Sequence, residues 1–316
     1  MTACRPEPAR TPVPAALAAA YETHSGASGR AWIAALPALV AEYLDRWELR
    51  PDGGVRCGRM ALVLPVLDRD GAPAVLKLQP VDAETCGEPP ALRRWDGDGA
   101  VRLLRHDPAS GTMLLERLDA DRSLASLPDD TEALRVLSGL LARLTAHPAP
   151  EGLRTLTGIA KALLDRAEQA LPALADPADR RLLGDCAARV RELLGEPPGD
   201  RLLHWDLHHD NVLAAPATAA DRGPWLAIDP KPLVGDPAFE LFPALWNRWD
   251  ALVATGDVVR SVRRRFDLMT EALSLDRERA RGWTLGRVLQ NCLWRLEQGQ
   301  RAVPADQRAI AEALSE

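Results

Sequence analysis

Residues 204–211 read HWDLHHDN, so three histidines, two aspartates and one asparagine fall within eight residues. Asp206 and Asn211 are five residues apart, a spacing that suits a loop whose two ends face one cavity. Asp229 ends the next apolar run, WLAID, and can join them there. Two oxygen ligands, completed by phosphate oxygens and waters, suit Mg²⁺, which rarely has an all-protein cage. A further carboxylate within reach of a substrate hydroxyl can orient it and accept its proton.

The chain before this stretch has the pattern of a helix followed by antiparallel strands. Apolar residues recur at helical spacing over 30–47, which predicts an amphipathic helix. The dipeptide Asp70-Gly71 is typical of a hairpin turn. A further helix is predicted over 84–96, with Pro89 and Pro90 in its first turn. Pairs of apolar runs predict two hairpins, 61–67 with 73–81 and 101–107 with 112–118.

From about residue 127 onward the periodicity is mainly helical, over roughly 130–146, 158–175, the region around 182–194 and 239–315. Two short strand-like runs, 202–206 and 225–229, interrupt these helices. The sequence therefore predicts an α+β protein with a small antiparallel sheet lobe and a larger, mainly helical lobe. We expect the following organisation: a lead-in over 1–29, an N-terminal lobe over 30–119, a linker near 116–122 and a C-terminal lobe over 120–316.

Composition excludes several classes of protein. A formal net charge of −6 argues against a general nucleic-acid binder and suits a cationic or small neutral partner. The five cysteines are scattered and form no CxxC pair, which is typical of a reducing compartment. No apolar run approaches the roughly 18–20 residues that span a bilayer. We therefore expect a cytoplasmic protein that binds neither nucleic acid nor membrane.

The H-x-D-x-x-x-x-N pattern with the strand-ending Asp229 resembles the catalytic loop and metal-binding aspartate of the aminoglycoside phosphotransferase family. Four stretches resemble its streptomycin 6-phosphotransferase branch, the aminoglycoside/hydroxyurea antibiotic resistance kinases: AVLKLQP, WDGDGAVRLLRHD, LLHWDLHHDNVLAA and WLAIDPKPLVGDPAFEL. The resemblance covers about residues 30–300. It implies a protein-kinase-like bilobal fold. It also implies a kinase that uses ATP and Mg²⁺ to phosphorylate a hydroxyl, expected at position 6, of streptomycin or a related cationic aminoglycoside. We expect the protein to be a monomer.

The resemblance also implies roles for single residues. Asp206 would be the catalytic aspartate that faces the acceptor hydroxyl, and Asn211 and Asp229 would hold Mg²⁺ on the nucleotide phosphates. His204 would shape the loop rather than react. Lys77, one of only three lysines among 39 basic residues, would contact the α- and β-phosphates.

The acidic partner of Lys77 should lie on the helix that follows its strand, where Glu84 and Glu88 compete. Glu88 is preferred because Leu92 and Trp95 follow it at +4 and +7, as in the helix of the family. The prolines after Glu88 would place it near the start of the helix, where the helix dipole favours an anion.

The remaining assignments rest on position along the chain. Glu116 and Leu118 would lie in the linker whose backbone contacts adenine, and Gly53 and Gly54 would form the phosphate loop. Asp236 would support the catalytic loop. Acceptor contacts are expected from five side chains: His208, Lys231, Glu240, Trp246 and Asp250.

Three alternatives remain at this point. A kinase of the same fold could act on another small acceptor such as hydroxyurea, with ATP or GTP as the donor. A zinc hydrolase could use His204 and His208, which have the i, i+4 spacing of helical zinc ligands, with Asp210 or His209. The third alternative, a kinase-like binding module without activity, is disfavoured because all four motif residues are intact: Lys77, Asp206, Asn211 and Asp229.

Overall fold

The structure is a computed structural model that describes residues 12–58, 60–197 and 199–315. The chain divides into two compact units. The first runs to Pro89 and also takes in Val101–Leu118, and the second comprises Pro90–Ala100 and Asp119–Glu316. Cys4 and the first eleven residues of the expected lead-in lie outside the described residues.

The first unit begins with helix α1 (Ala15–Arg46), which bends at Gly26. The lead-in predicted over 1–29 is therefore wrong for residues 15–29, and the predicted helix over 30–47 is only the second half of this element. The early part is held because Leu17 and Tyr21 are buried in the same core as Leu36 and Val40. Few large apolar residues mark that part, so its periodicity is hard to see in the sequence.

The sheet of the first unit has six antiparallel strands in the order β1-β3-β4-β6-β5, with β2 also pairing with β3. Both predicted hairpins are present. Lys77 lies on β4 between two neighbours, paired with Val63 on one side and Met113 on the other. The strands are β1 (Arg50–Pro51), β2 (Arg56–Cys57), β3 (Leu62–Leu67), β4 (Pro73–Leu78), β5 (Leu103–His106) and β6 (Met113–Glu116).

Helix α2 (Glu88–Trp95) starts in the first unit, but its later residues and the turn after it group with the second. The predicted boundary at 119/120 does not place Pro90–Ala100 in the second unit, because residues distant in sequence bind the turn after α2. Asp98 accepts hydrogen bonds from Arg143, at 2.7 and 2.9 Å, and contacts a ring nitrogen of His147 at 2.9 Å. The Gly99 carbonyl accepts from the Ala227 N–H at 2.9 Å.

The second unit contains two small antiparallel sheets. The strands β10 (Trp225–Ala227), β9 (Val212–Ala214) and β7 (Asp119–Ser123) form the first, in that order, and β8 (Arg201–Leu203) pairs with β11 (Leu233–Gly235) in the second. The strand-like runs predicted at 202–206 and 225–229 correspond to β8 and β10. The strands β9 and β11, of three residues each, were not predicted.

Helices make up the rest of the second unit. Within the described residues they are α3 (Asp130–Thr145), α4 (Leu156–Ala170), α5 (Pro177–Leu193), α6 (Phe242–Trp246), α7 (Trp249–Ala254), α8 (Val258–Ala272), α9 (Arg277–Glu297) and α10 (Ala305–Leu314). Gly282 and Gly286 of α9 allow close packing against α5 because they lack a side chain. A Cβ atom added at Gly282 would lie 2.9 Å from Leu193, and one added at Gly286 would lie 2.9 Å from Val190. None of the described helices is long and apolar enough to cross a membrane.

Candidate active site

The loop between β8 and β9 carries the residues of the HWDLHHDN stretch. The Asn211 side-chain amide donates to the Asp206 carbonyl at 2.9 Å, and the Asn211 carbonyl accepts from the Ile228 N–H at 2.9 Å. The strands β9 and β10 are antiparallel, so the start of β9 lies beside the end of β10. Asn211 directly precedes β9, and Ile228 and Asp229 directly follow β10, so these residues lie at the same end of the hairpin. The structure thus brings together Asp206, Asn211 and Asp229, as the spacing predicts.

His204 links the two sides of this site. Its Nδ1 accepts a hydrogen bond from the Asp206 N–H at 3.3 Å, so Nε2 carries the proton and donates to the Ile228 carbonyl at 3.0 Å. The ring is fully buried and stacks on Trp95 with centroids 6.2 Å apart. Burial lowers the pKa of His204 to about 3, so the ring is neutral at physiological pH. Its two hydrogen bonds join the Asp206 N–H of the loop to the Ile228 carbonyl.

The depressed pKa of His204 predicts a loss of stability in acid. Below about pH 6.5 the unfolded histidine takes a proton that the folded one resists down to about pH 3. Across that window the free energy of unfolding should fall by up to about 1.4 kcal/mol per pH unit from this residue. His204→Gln keeps an N–H donor but cannot titrate, so its unfolding free energy should depend less steeply on pH. Urea unfolding of both proteins from pH 7 to pH 4 measures the difference, and equal slopes would contradict the assignment.

The buried Glu240 side chain binds the main chain of the loop between β8 and β9. Both of its carboxylate oxygens accept from the Trp205 N–H, at 2.8 and 3.1 Å, and its side chain is fully buried. Burial raises the pKa of Glu240 to about 7, although the Trp205 N–H and the charge of Arg287 both act to lower it. The prediction that Glu240 contacts the acceptor is therefore wrong, since an acceptor cannot reach a buried carboxylate.

Backbone strain marks both sides of the site. Trp205 and Asp229 have φ values of 65° and 56°, in the left-handed region that non-glycine residues rarely occupy. Such conformations cost about 1–3 kcal/mol each and persist only where surrounding contacts hold them. The Glu240 carboxylate supplies one such contact at Trp205. At Asp229, the Lys231 ammonium lies 3.1 Å from one carboxylate oxygen.

The donor set of the site fits a magnesium ion. The Asn211 amide nitrogen is used by the Asp206 carbonyl, which leaves the amide oxygen as the atom available to a cation. The Asp229 carboxylate adds a second hard oxygen ligand, and Mg²⁺ prefers such oxygens and keeps waters or phosphate oxygens in its other positions. Asp206 is half-buried, and burial raises the pKa of its carboxyl while the charges of His208, Arg287 and Lys231 lower it.

The zinc hypothesis is wrong for the part of the chain that the structure describes. Both ring nitrogens of His204 are engaged by backbone groups, so neither has a lone pair free for zinc. His209 is fully buried on a short 3₁₀ turn, not at a helical ligand spacing. Among the described residues no group of three or more His, Cys, Asp or Glu side chains is arranged to hold a metal ion.

In the first unit, Lys77 and Glu88 form a buried ion pair. The ammonium lies 2.7 and 2.8 Å from the two carboxylate oxygens, and both residues are at most 5% exposed. The Gln79 side chain donates to the same carboxylate at 2.6 Å. The structure selects Glu88 over Glu84, whose side chain is exposed. Gln79, in the same AVLKLQP run, was not recognised from the sequence as a third member.

The predicted linker and glycine turn are also connected within the first unit. The Arg117 guanidinium donates to the Asp52 carboxylate at 2.7 Å, directly before Gly53. Gly53 has φ 142° and lies with Gly54 between β1 and β2, which both pair with β3, so the two glycines interrupt one edge strand of the sheet. The Glu116 carboxylate accepts from the Arg102 N–H at 2.7 Å, and Leu118 is buried. Adenine and phosphate binding here remain predictions.

Asp236 supports a different element from the one predicted. Its carboxylate accepts from the Ala238 N–H at 2.8 Å and from the Trp283 indole at 3.1 Å, and it pairs with Arg279. These contacts cap a short 3₁₀ helix and hold α9 rather than the catalytic loop. Asp236 makes no direct contact of this kind with the loop, but the 3₁₀ helix that it caps carries Glu240, which binds the Trp205 N–H.

The remaining predicted acceptor residues lie in three different settings. His208 accepts from the Asp210 N–H at 3.3 Å, and Asn247, missed in the sequence, donates to the Asp210 carboxylate at 3.0 Å. The Trp246 indole is 39% exposed and donates to Asp306 at 2.6 Å. Asp250 is exposed in the first turn of α7.

The architecture and the site define a phosphotransferase of the protein-kinase-like class. Solved structures of that class are similar in fold. Choline kinase LicA from Streptococcus pneumoniae is 13% identical and covers 88% of this chain and 96% of its own, with a TM-score of 0.54. The GDP complex of an aminoglycoside 2'-phosphotransferase IIIa variant is 14% identical, with 88% and 94% covered and a TM-score of 0.52.

The chain belongs to the aminoglycoside/hydroxyurea antibiotic resistance kinase family, whose profile matches residues 46–299. Membership implies use of ATP. Streptomycin 6-kinases of Streptomyces glaucescens and Streptomyces griseus are 61% and 58% identical, covering 96% of this chain and 96% and 97% of their own lengths. Hydroxyurea phosphotransferase of Kitasatospora aureofaciens is 54% identical over 96% of this chain and 85% of its own.

Proposed function

We propose that this protein inactivates streptomycin by transferring the γ-phosphoryl group of ATP to the 6-hydroxyl of the antibiotic. The observation that carries the chemistry is that Asn211 binds both the Asp206 carbonyl and the N–H of Ile228, which places Asp206, Asn211 and Asp229 at one end of the β9–β10 hairpin. The choice of acceptor is supported by the two streptomycin 6-kinases at 58–61% identity. The net charge of −6 agrees with an acceptor that carries guanidinium groups.

In this reaction Asp206 orients the acceptor hydroxyl and accepts its proton as the new bond to phosphorus forms. The bond between the γ-phosphorus and the bridging oxygen breaks, and ADP leaves with that oxygen. Lys77 places its charge against the α- and β-phosphates, and Glu88 holds the ammonium in position. Positioning and charge stabilisation supply most of the rate enhancement in this chemistry.

Mg²⁺, held by Asn211 and Asp229, would neutralise phosphate charge. Asn211→Ala removes one of these two ligands and the hydrogen bond to the Asp206 carbonyl. We expect the Mg²⁺ concentration for half-maximal rate to rise about 10-fold or more, since loss of a ligating or orienting group typically costs 10- to 100-fold in metal affinity. A magnesium titration of the initial rate at saturating ATP measures this change. An unchanged half-maximal concentration would remove Asn211 from the metal site.

The proposal is tested by incubating the purified protein with ATP, Mg²⁺ and streptomycin. Mass spectrometry should show streptomycin carrying one added phosphoryl group, and NMR should place it on the 6-hydroxyl. No phosphorylated streptomycin, under conditions where the protein binds ATP, would refute the assignment.

Hydroxyurea is the second candidate acceptor, supported by the 54% identity to a hydroxyurea phosphotransferase. A parallel incubation with hydroxyurea separates the two acceptors. A kcat/KM for hydroxyurea above that for streptomycin would favour this second reading.

A further inference from the structure

One arginine lies in the most buried part of helix α9. Arg287 follows Gly286 and precedes Val288, and it is only 6% exposed. Burying a guanidinium without partners is costly, so its surroundings reveal what it does. The charge lies over three aromatic rings, 5.2 Å from the centroid of Phe239, 5.4 Å from that of Trp205 and 5.5 Å from that of Phe242.

The same guanidinium contacts the catalytic loop. Its Nη1 donates to the Trp205 carbonyl at 3.2 Å. The Trp205 N–H is bound from the other side of the residue by the Glu240 carboxylate. Trp205 therefore has both of its main-chain polar groups held by buried ionisable side chains, one from α9 and one from the short helix after β11.

This pair of contacts bears on the neighbouring residue. Trp205 has the left-handed φ of 65°, and its carbonyl belongs to the peptide bond that leads into Asp206. The Trp205 carbonyl and the Asp206 N–H lie in one peptide plane, which ends at the Cα atom of Asp206. The N–H of this peptide donates to His204 Nδ1 at 3.3 Å, and its carbonyl accepts from Arg287. The two contacts together fix the peptide from whose end the Asp206 carboxylate projects.

We infer that Arg287 is a positioning residue for phosphoryl transfer: with Glu240 it fixes the main chain of Trp205 and thereby aims the Asp206 carboxylate at the acceptor hydroxyl. This inference rests on the proposed function, because Asp206 is taken as the proton acceptor. Arg287 does not itself touch substrate. It acts through the Trp205 carbonyl and through its charge, which balances the buried Glu240 carboxylate.

Only arginine meets all of these demands at position 287. Its planar guanidinium can lie against aromatic rings while an edge N–H points at a carbonyl. Lysine keeps the charge and one donor but loses the flat face. Methionine keeps part of the volume and loses both the donor and the charge. The two substitutions therefore separate the contributions of charge, donor and shape.

The test compares Arg287→Lys and Arg287→Met with the unaltered protein. We expect kcat for streptomycin phosphorylation to fall about 100-fold in Arg287→Met, the size expected for misplacement of a reacting group by about 1 Å. Arg287→Lys should recover part of this loss. KM for ATP and for streptomycin should stay within about twofold, because neither substrate touches Arg287 in this proposal. Arg281→Met is the matched control on the same helix, where the half-buried Arg281 pairs with the exposed Glu278 at 3.4 Å. It should keep the kcat of the unaltered protein.

Hydrogen exchange provides a readout that does not depend on turnover. The Trp205 amide should exchange faster in both Arg287 variants, while amides of α5 and the first turns of α9 keep their protection. Retention of kcat within twofold in both variants would overturn the inference, as would unchanged exchange at Trp205. A general loss of protection in Arg287→Met with normal kcat in Arg287→Lys would also overturn it, since Arg287 would then serve stability alone. If the unaltered protein fails to phosphorylate streptomycin, the proposed function fails instead, and the exchange result still decides whether Arg287 holds Trp205.

Discussion

Asp206→Asn is expected to lower kcat for phosphorylation of streptomycin by about 10³-fold, within the range that positioned acid–base groups contribute. Asparagine has nearly the same shape as aspartate, but its amide cannot accept the proton of the acceptor hydroxyl. The main-chain contacts of residue 206 to His204 and Asn211 do not involve the side chain, so the loop should keep its conformation. Steady-state kinetics at saturating ATP and streptomycin measure the effect.

The matched control is Asp200→Asn, the same substitution six residues earlier. The Asp200 side chain is 87% exposed and lies 3.6 Å from Arg201 at the surface. It should retain full activity. KM for ATP and the melting temperature should be unchanged in Asp206→Asn. An Asp206 variant that kept more than a tenth of the kcat would contradict the role of this residue as proton acceptor.

Glu88→Ala should be among the most destabilising single substitutions in the first unit. It removes the carboxylate that binds both Lys77 and Gln79 and leaves the Lys77 ammonium buried without its counter-ion. Breaking a buried pair in this way typically costs about 3–5 kcal/mol in the free energy of unfolding. Chemical denaturation followed by circular dichroism measures the loss, and Glu84→Ala, at an exposed position on the same segment, is the control.

A double variant separates stability from function at this pair. Lys77→Met with Glu88→Leu replaces two buried charges by apolar groups, which is often neutral for stability. We expect its free energy of unfolding to lie within about 1–2 kcal/mol of the unaltered protein, while phosphoryl transfer stays lost because no cation faces the phosphates. Recovery of activity in the double variant would show that Lys77 does not act on the nucleotide.

The proximity of Asp206, Asn211 and Asp229 was predictable because it depends on short-range spacing. Asp206, Asn211 and Asp229 are set by one loop and one hairpin, and both leave a pattern within 26 residues of sequence. Lys77 and Glu88 were predictable for the same reason, since one strand and the next helix hold them. Contacts between elements that are adjacent in sequence can be predicted from the spacing of residues along the chain.

The misassigned residues depend on tertiary contacts between distant elements. Glu240 was expected at the acceptor because a carboxylate suits a cationic ligand. Its actual partner, the backbone N–H of Trp205, lies 35 residues away in sequence, and no sequence pattern indicates that contact. Arg287 is 82 residues from the carbonyl it binds. One signal was available, since a charged residue inside the buried run of α9 demands an explanation.

His204, Glu240 and Arg287 all bind main-chain atoms of the loop or of Ile228, which directly follows β10. The groups that they bind are main-chain atoms: the Ile228 carbonyl, the Asp206 N–H and both polar groups of Trp205. A main-chain atom survives every substitution of its own side chain except that by proline, which removes the N–H. Substitutions of the side chains around this loop can therefore accumulate without removing the contacts that hold its main chain.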